Sequence, residues 1–136
     1  WLYSEGIKVE YRRPEDKCFG EELIRFINEC HTILNFHYSP SPNTENRLYE
    51  SMGCGVPVIS EPISMPELFP FLDCSISEFT SSETLLELAR NLTKLSVTNP
   101  EYLARIGIES MTWLHANSSY AQRCQNFLDQ LKSMGL

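Results

Sequence analysis

Positive charge is scarce in this chain: 11 lysines and arginines stand against 18 acids, a net charge of −7 over 136 residues. Nucleic-acid binders draw much of their affinity from neutralising phosphates, so this balance argues against a nucleic-acid partner. It leaves room for a small anionic ligand, which the free amides at a helix start hold without net positive charge. Long apolar runs are absent too, and none approaches the roughly 18 residues of a membrane span. Histidine is limited to His31, His37 and His115, and the five cysteines (Cys18, Cys30, Cys54, Cys74 and Cys124) form no C-x-x-C pair. No zinc spacing results, and no metal is expected. An odd number of unpaired thiols reads as reduced, packed small hydrophobes in a cytoplasmic compartment. No Ser/His/Asp or Cys/His arrangement has local support. The chain opens on Trp1 with neither an initiator methionine nor a signal peptide, as expected of a piece of a longer protein or a processed product.

What is present is ordinary globular material: hydrophobic residues make up 42% and aromatics 11%, which excludes disordered and collagen-like chains. The pattern alternates short apolar runs with helical stripes. Residues 7–11 (IKVEY) alternate apolar and polar as a strand does. Residues 21–30 carry Leu23, Phe26, Ile27 and Cys30 at helical spacing, with acids in the first turn where the helix dipole favours them. Residues 31–38 (HTILNFHY) read as a buried parallel strand. After a Pro/Ser/Asn loop, residues 45–54 read as a short helix, capped by Asn43 or Thr44 and stopped by Gly55. Residues 56–59 (VPVI) form a third strand and 72–76 a fourth, with one helical turn at 66–69. Thr80-x-x-Glu83 matches a capping box opening a helix with the stripe Leu85, Leu88, Ala89 and Leu92. Asn99-Pro100 starts another helix to about Leu114, and residues 120–134 form the last. Strands alternating with helices imply an α/β fold with a mainly parallel sheet covered on both faces, followed by a helical C-terminal tail.

The informative stretch is 33–61, ILNFHYSPSPNTENRLYESMGCGVPVISE. In an open parallel sheet, ligands bind beyond the carboxyl ends of the strands. The loop before the 45–54 helix lies at such an end. The amides near Asn43, Thr44, Glu45 and Asn46 therefore form a candidate seat for a phosphate or pyrophosphate. Glu50, one to two turns into the helix, suits two vicinal hydroxyls such as those of a ribose. Arg47 is either a phosphate partner or an ion-pair partner of Glu50 or Glu45. His37 at the end of its strand and Glu61 after the third strand are further candidates for donor contact. Gly53 and Gly55 are read as structural, for close packing and the helix stop.

The run RLYESMGCGVPVI, residues 47–59, resembles the E-A-M-A-x-G-x-P-V-I signature of group 1 glycosyltransferases of the GT-B fold. Arg47, three residues before Glu50, is similar to a spore-coat glycosyltransferase-like subgroup. So is the tail, with Asn99-Pro100-Glu101 followed by His115, Tyr120 and Arg123. The resemblance covers the chain from about Ile7 to the end. It implies a Rossmann-like, donor-binding C-terminal domain, half of a GT-B fold, with residues 1–136 as a single partial domain. It assigns Glu50 to the ribose hydroxyls of a nucleotide-sugar, and the preceding loop to the pyrophosphate and sugar. Many group 1 members carry a further glutamate eight positions before the one matching Glu50; here that position is Pro42, and Glu45 is the nearest acid.

The expected function is transfer of a hexosyl group from a nucleotide-diphosphate sugar to an acceptor hydroxyl. The donor serves as substrate, and no other cofactor is expected. The resemblance implies an N-terminal acceptor domain of the same enzyme as a partner. It leaves a glycan, lipid or protein as acceptor, places any catalytic base outside these residues, and allows membrane association through other segments. The alternative is a non-catalytic nucleotide-sensing or protein-interaction module on the same fold.

Overall fold

Three parallel strands organise the chain: β1 (Ile33–Asn35), β2 (Val58–Ser60) and β3 (Ile76–Glu78), side by side in that order. The computed structural model describes residues 2–10, 18–37, 46–63 and 76–134. Pairing is in register, with Ile33 opposite Val58 and Val58 opposite Ile76, so that Asn35, Ser60 and Glu78 form the last row of the ladder. Around the sheet lie α1 (Glu21–Asn28), α2 (Asn46–Gly53), α3 (Ser82–Thr98), α4 (Pro100–Asn117) and α5 (Tyr120–Ser133). The fold is α/β, Rossmann-like in its parallel sheet with flanking helices, and ends in a helical tail.

Both sheet faces are covered, as parallel strands require. On one face Val58 and Ile76 pack with Leu48 and Met52 of α2, Ile63, and Leu114 of α4. On the other, Ile59 and Phe79 pack with Leu85 and Ala89 of α3, joined by Leu2, Ile7 and Leu34. A third cluster ties Ile27 of α1 to Ile33 and Val56. The alternation of Val58 and Ile59 between two cores explains why VPVI reads as uniformly apolar.

The turn from α2 into β2 is the tightest point. The Gly55 N–H bonds the Met52 carbonyl and the Val56 N–H reaches back to the Ser51 carbonyl. This pair of bonds satisfies the last carbonyls of the helix and needs a left-handed residue between them. Gly55 supplies it, with φ 72°. The same backbone receives α4: a Cβ on the buried Gly107 would overlap the Gly55 carbonyl oxygen, and Gly53 lies 3.4 Å from Leu114 at its own Cβ position.

Several sequence expectations shift. Residues 7–10 belong to no strand; Leu2–Glu5 is a 3-10 turn, and the Ile7 N–H bonds the Leu2 carbonyl. Alternation marks which side chains bury, but a strand forms only where a ladder partner exists. Here Ile7 buries through the turn instead. The strand expected over 31–38 contracts to Ile33–Asn35, and the one expected over 56–59 becomes Val58–Ser60. Of the fourth strand only Ile76 coincides with β3; its remainder and the helical turn at 66–69 lie outside the described residues. The capping box moves one position along. Ser81, not Thr80, caps α3, its hydroxyl accepting from the Thr84 N–H at 3.2 Å. Asn99 closes α3 and caps α4 through the Tyr102 N–H, with Pro100 first in that helix. Among the described residues, no helix is long and apolar enough to cross a membrane.

Two predictions follow from these contacts. Replacing Gly107 with Ala pushes a methyl into backbone that cannot swing aside, and costs about 2–3 kcal/mol of stability in a denaturant titration. Glu83, in the first turn of α3, is held below the usual carboxylate range by its own backbone N–H first, then by the Ser81 and Ser82 hydroxyls. A lowered folded-state value stabilises above the unfolded carboxylate's pKa, near about 4.3, and that contribution is lost as pH falls through the folded value. Melting curves of Glu83→Gln therefore fall below wild type at pH 7 and converge with it in acid.

Candidate functional site

A helix that joins two parallel strands must run back against them. The amino end of α2 therefore lies at the carboxyl edge of the sheet. Asn46 and Arg47 open α2, and the amides at the start of a helix have no carbonyl partner within it. Leu48, Ser51 and Met52 are buried, which turns Asn46, Arg47 and Glu50 outward to solvent. Among the described residues, Arg47 and Glu50 do not pair with each other. Asn43, Thr44, Glu45 and Pro42 lie outside the described residues.

The strand ends carry a hydrogen-bonded polar row. Asn35 is wholly buried and donates from Nδ2 to the Ser60 hydroxyl at 2.9 Å; that hydroxyl donates on to the Glu61 carbonyl at 2.7 Å. The His37 backbone N–H donates to Glu61 Oε2 at 2.6 Å, and its ring Nε2 lies 2.8 Å from the Pro62 carbonyl. A carbonyl only accepts, so Nε2 holds the hydrogen. On β3, Glu78 Oε1 accepts from the Ile63 N–H at 2.9 Å. The loop leaving β2 is thus stitched to both neighbouring strands. Among the described residues, Asn35 Oδ1 and His37 Nδ1 are buried without a hydrogen-bond partner. Beside the row, Phe36 sets its ring edge-on to Phe79 at 5.5 Å.

The structure brings Asn46, Arg47 and Glu50 onto one exposed surface of α2, and His37 with Glu61 onto the adjoining strand ends. His37 acts there through hydrogen bonds within the chain. Three members of the row were not singled out from sequence. Asn35 sits inside an apolar run, and a polar residue in a buried strand is the signal that points to it. Ser60 and Glu78 have no such mark, since only the strand register aligns them. The tail also returns to this region: the Arg123 guanidinium of α5 stacks over the Tyr49 ring of α2, 4.9 Å from its centre, a cation–π contact.

Cys54, one turn after Glu50, has its thiol pushed up by burial first and by the Glu50 carboxylate second; the Cys30 thiol is pushed up by burial, then by Glu10 and Glu29. No metal-holding group of three His, Cys, Asp or Glu side chains occurs among the described residues.

A family model described as "Glycosyl transferase-like" matches residues 4–129. The chain belongs to this glycosyl transferase-like family. No curated protein and no solved structure matches it.

Because the thiolate is the reactive form, iodoacetamide at pH 7.5 labels the exposed Cys124 before Cys30 and Cys54, read by peptide mass spectrometry. Glu50→Gln removes a charge that opposes thiolate formation and speeds labelling at Cys54.

Proposed function

We propose that this glycosyl transferase-like chain binds a nucleotide-diphosphate sugar at the carboxyl edge of its sheet and presents a hexosyl group to an acceptor hydroxyl. The observation that carries the proposal is the placing of the amino end of α2, with Arg47 and Glu50 exposed on its first two turns, at the carboxyl edge of a parallel sheet. A helix amino end and a guanidinium suit a diphosphate. A carboxylate with no ion pair among the described residues suits the two hydroxyls of a ribose. Residues 43–46 would cradle the diphosphate, and His37 and Glu61 would border the sugar.

In the reaction, the acceptor oxygen bonds to the anomeric carbon while the bond from that carbon to the phosphate oxygen breaks. The nucleoside diphosphate leaves with the electron pair, and the acceptor's hydroxyl proton passes to a base. No described residue is assigned as that base. This chain's part is to position the donor and to stabilise charge on the leaving diphosphate. Pro42, standing where many group 1 members carry an acid, favours a second reading: a nucleotide-sensing module that holds the donor without transferring its sugar.

In the full-length protein, Glu50→Gln removes a charged hydrogen-bond partner of the ribose and weakens donor binding about 10- to 100-fold by calorimetry. Unchanged affinity and turnover would remove Glu50 from the site. Intact nucleotide binding with no sugar transfer to any acceptor would favour the sensing module.

A further inference from the structure

In a chain with 18 acids and 11 bases, a cation without an acid partner calls for a reason. Lys8 pairs with Glu10, Arg90 with Glu5, Arg105 with Glu109 and Lys132 with Asp129. Among the described residues, Arg123 pairs with no carboxylate. It is exposed, and its guanidinium lies over the Tyr49 ring, 4.9 Å from the centre. The helix that carries it, α5, buries no residue, whereas Tyr49 is half-buried against the core around Leu48, Met52 and Leu114. The ring is the fixed partner, and it decides where the Arg123 charge rests.

Tyr49 is the fourth residue of α2, three after Asn46 and on the same side of the helix. Helical side chains lean toward the amino end, so this ring lies along the opening turn and brings Arg123 to it. By helical spacing, Asn46 and Glu50 fall between Tyr49 and Arg47 on the surface of α2. Two cations therefore flank that exposed strip, Arg47 from the helix itself and Arg123 from the tail. A guanidinium over an aromatic ring uses its flat face there and keeps the N–H donors in its plane for a phosphate. Among the described residues, no carboxylate competes for them.

We propose that Arg123 is a diphosphate-binding residue of the donor site, reaching it from α5 with Tyr49 as its positioning residue. The inference rests on the donor-binding reading above and adds a residue of the tail to that site. Arg123 and Arg47 hold the diphosphate from the two sides of the Asn46–Glu50 strip, and both neutralise charge as the nucleoside diphosphate leaves. The C-terminal helix then belongs to the donor site, although it covers little of the core.

The test is calorimetry on the purified full-length protein with UDP, GDP and ADP, then with the monophosphate of the base that binds. Arg123→Gln is expected to weaken diphosphate binding about tenfold, and monophosphate binding by a smaller factor. Arg123→Lys keeps a cation without the planar fork and recovers part of the loss. Tyr49→Leu removes the platform and repeats the selective loss. Melting curves establish which variants are folded. Where Arg123→Gln is not, Arg123→Lys carries the comparison, with a smaller loss that again falls on the diphosphate. Unchanged affinity in the folded Arg123 variants overturns the proposal. Equal losses for monophosphate and diphosphate overturn it too, because a residue that only packs α5 against α2 does not distinguish the two. Absence of binding by every nucleotide to the unaltered protein overturns the donor-binding reading itself, and the role of Arg123 with it.

Discussion

The close approach of Gly55 and Gly107 is the contact on which the rest of the arrangement depends. Gly55 ends α2 in a left-handed residue and releases the chain directly into β2. Gly107 lets α4 settle on that same backbone, closer than any side chain would permit. One contact therefore sets where α2 stops, where β2 starts, and how the helical tail lies on the sheet. With α2 pinned at its carboxyl end, its amino end is held at the opposite edge. That is the edge where all three strands finish and where the polar residues gather.

The division of the edge into two chemistries follows from this geometry. The helical side carries Arg47 at the start of α2 and Arg123 stacked on Tyr49; the strand side carries Asn35, Ser60, Glu61 and Glu78. A nucleotide-sugar has the complementary division, with an anionic diphosphate between two polyhydroxylated rings. The chain's strong negative charge is no obstacle to such a ligand, because positive potential is needed only at the diphosphate. In the proposed function, the start of α2 and Arg47 would supply it locally. The Asn35–Ser60 bond and the His37 contacts with Glu61 and Pro62 keep the strand side rigid, so that carboxylate oxygens are oriented before any ligand arrives.

Legibility in the sequence varied with the range of the interaction. Elements governed by local rules were readable: the glycine stop of α2, the Asn99-Pro100 start of α4, and the apolar stripe of α3. Each is decided by groups a few residues apart. The capping of α3 was read one position off, because three hydroxyl residues, Thr80, Ser81 and Ser82, stand in a row and only the backbone's path selects Ser81. The alternation over 7–11 misled for a different reason. Ile7 packs against the cluster around Ile59 without a ladder partner, and Val9 stays exposed, so the alternation marks neither a strand nor a buried face. At the site, Glu50 and Arg47 were legible because the run around them is distinctive. Asn35, Ser60 and Glu78 were not, because their significance lies in being neighbours across the ladder.

By itself, the sequence determined the class of fold, the placement of α2 between two parallel strands, and the residues that α2 exposes. These follow from apolar periodicity, from a glycine that no other residue replaces at positive φ, and from the direction a crossover helix must take. Tertiary structure alone decided that Gly107 is the partner of Gly55, that Asn35 finds Ser60 25 positions along the chain, and that Glu61 accepts from the His37 N–H and Glu78 from the Ile63 N–H. Hydrogen-bond donors are apportioned among residues distant in sequence, and only the strand register determines which acceptor each one meets.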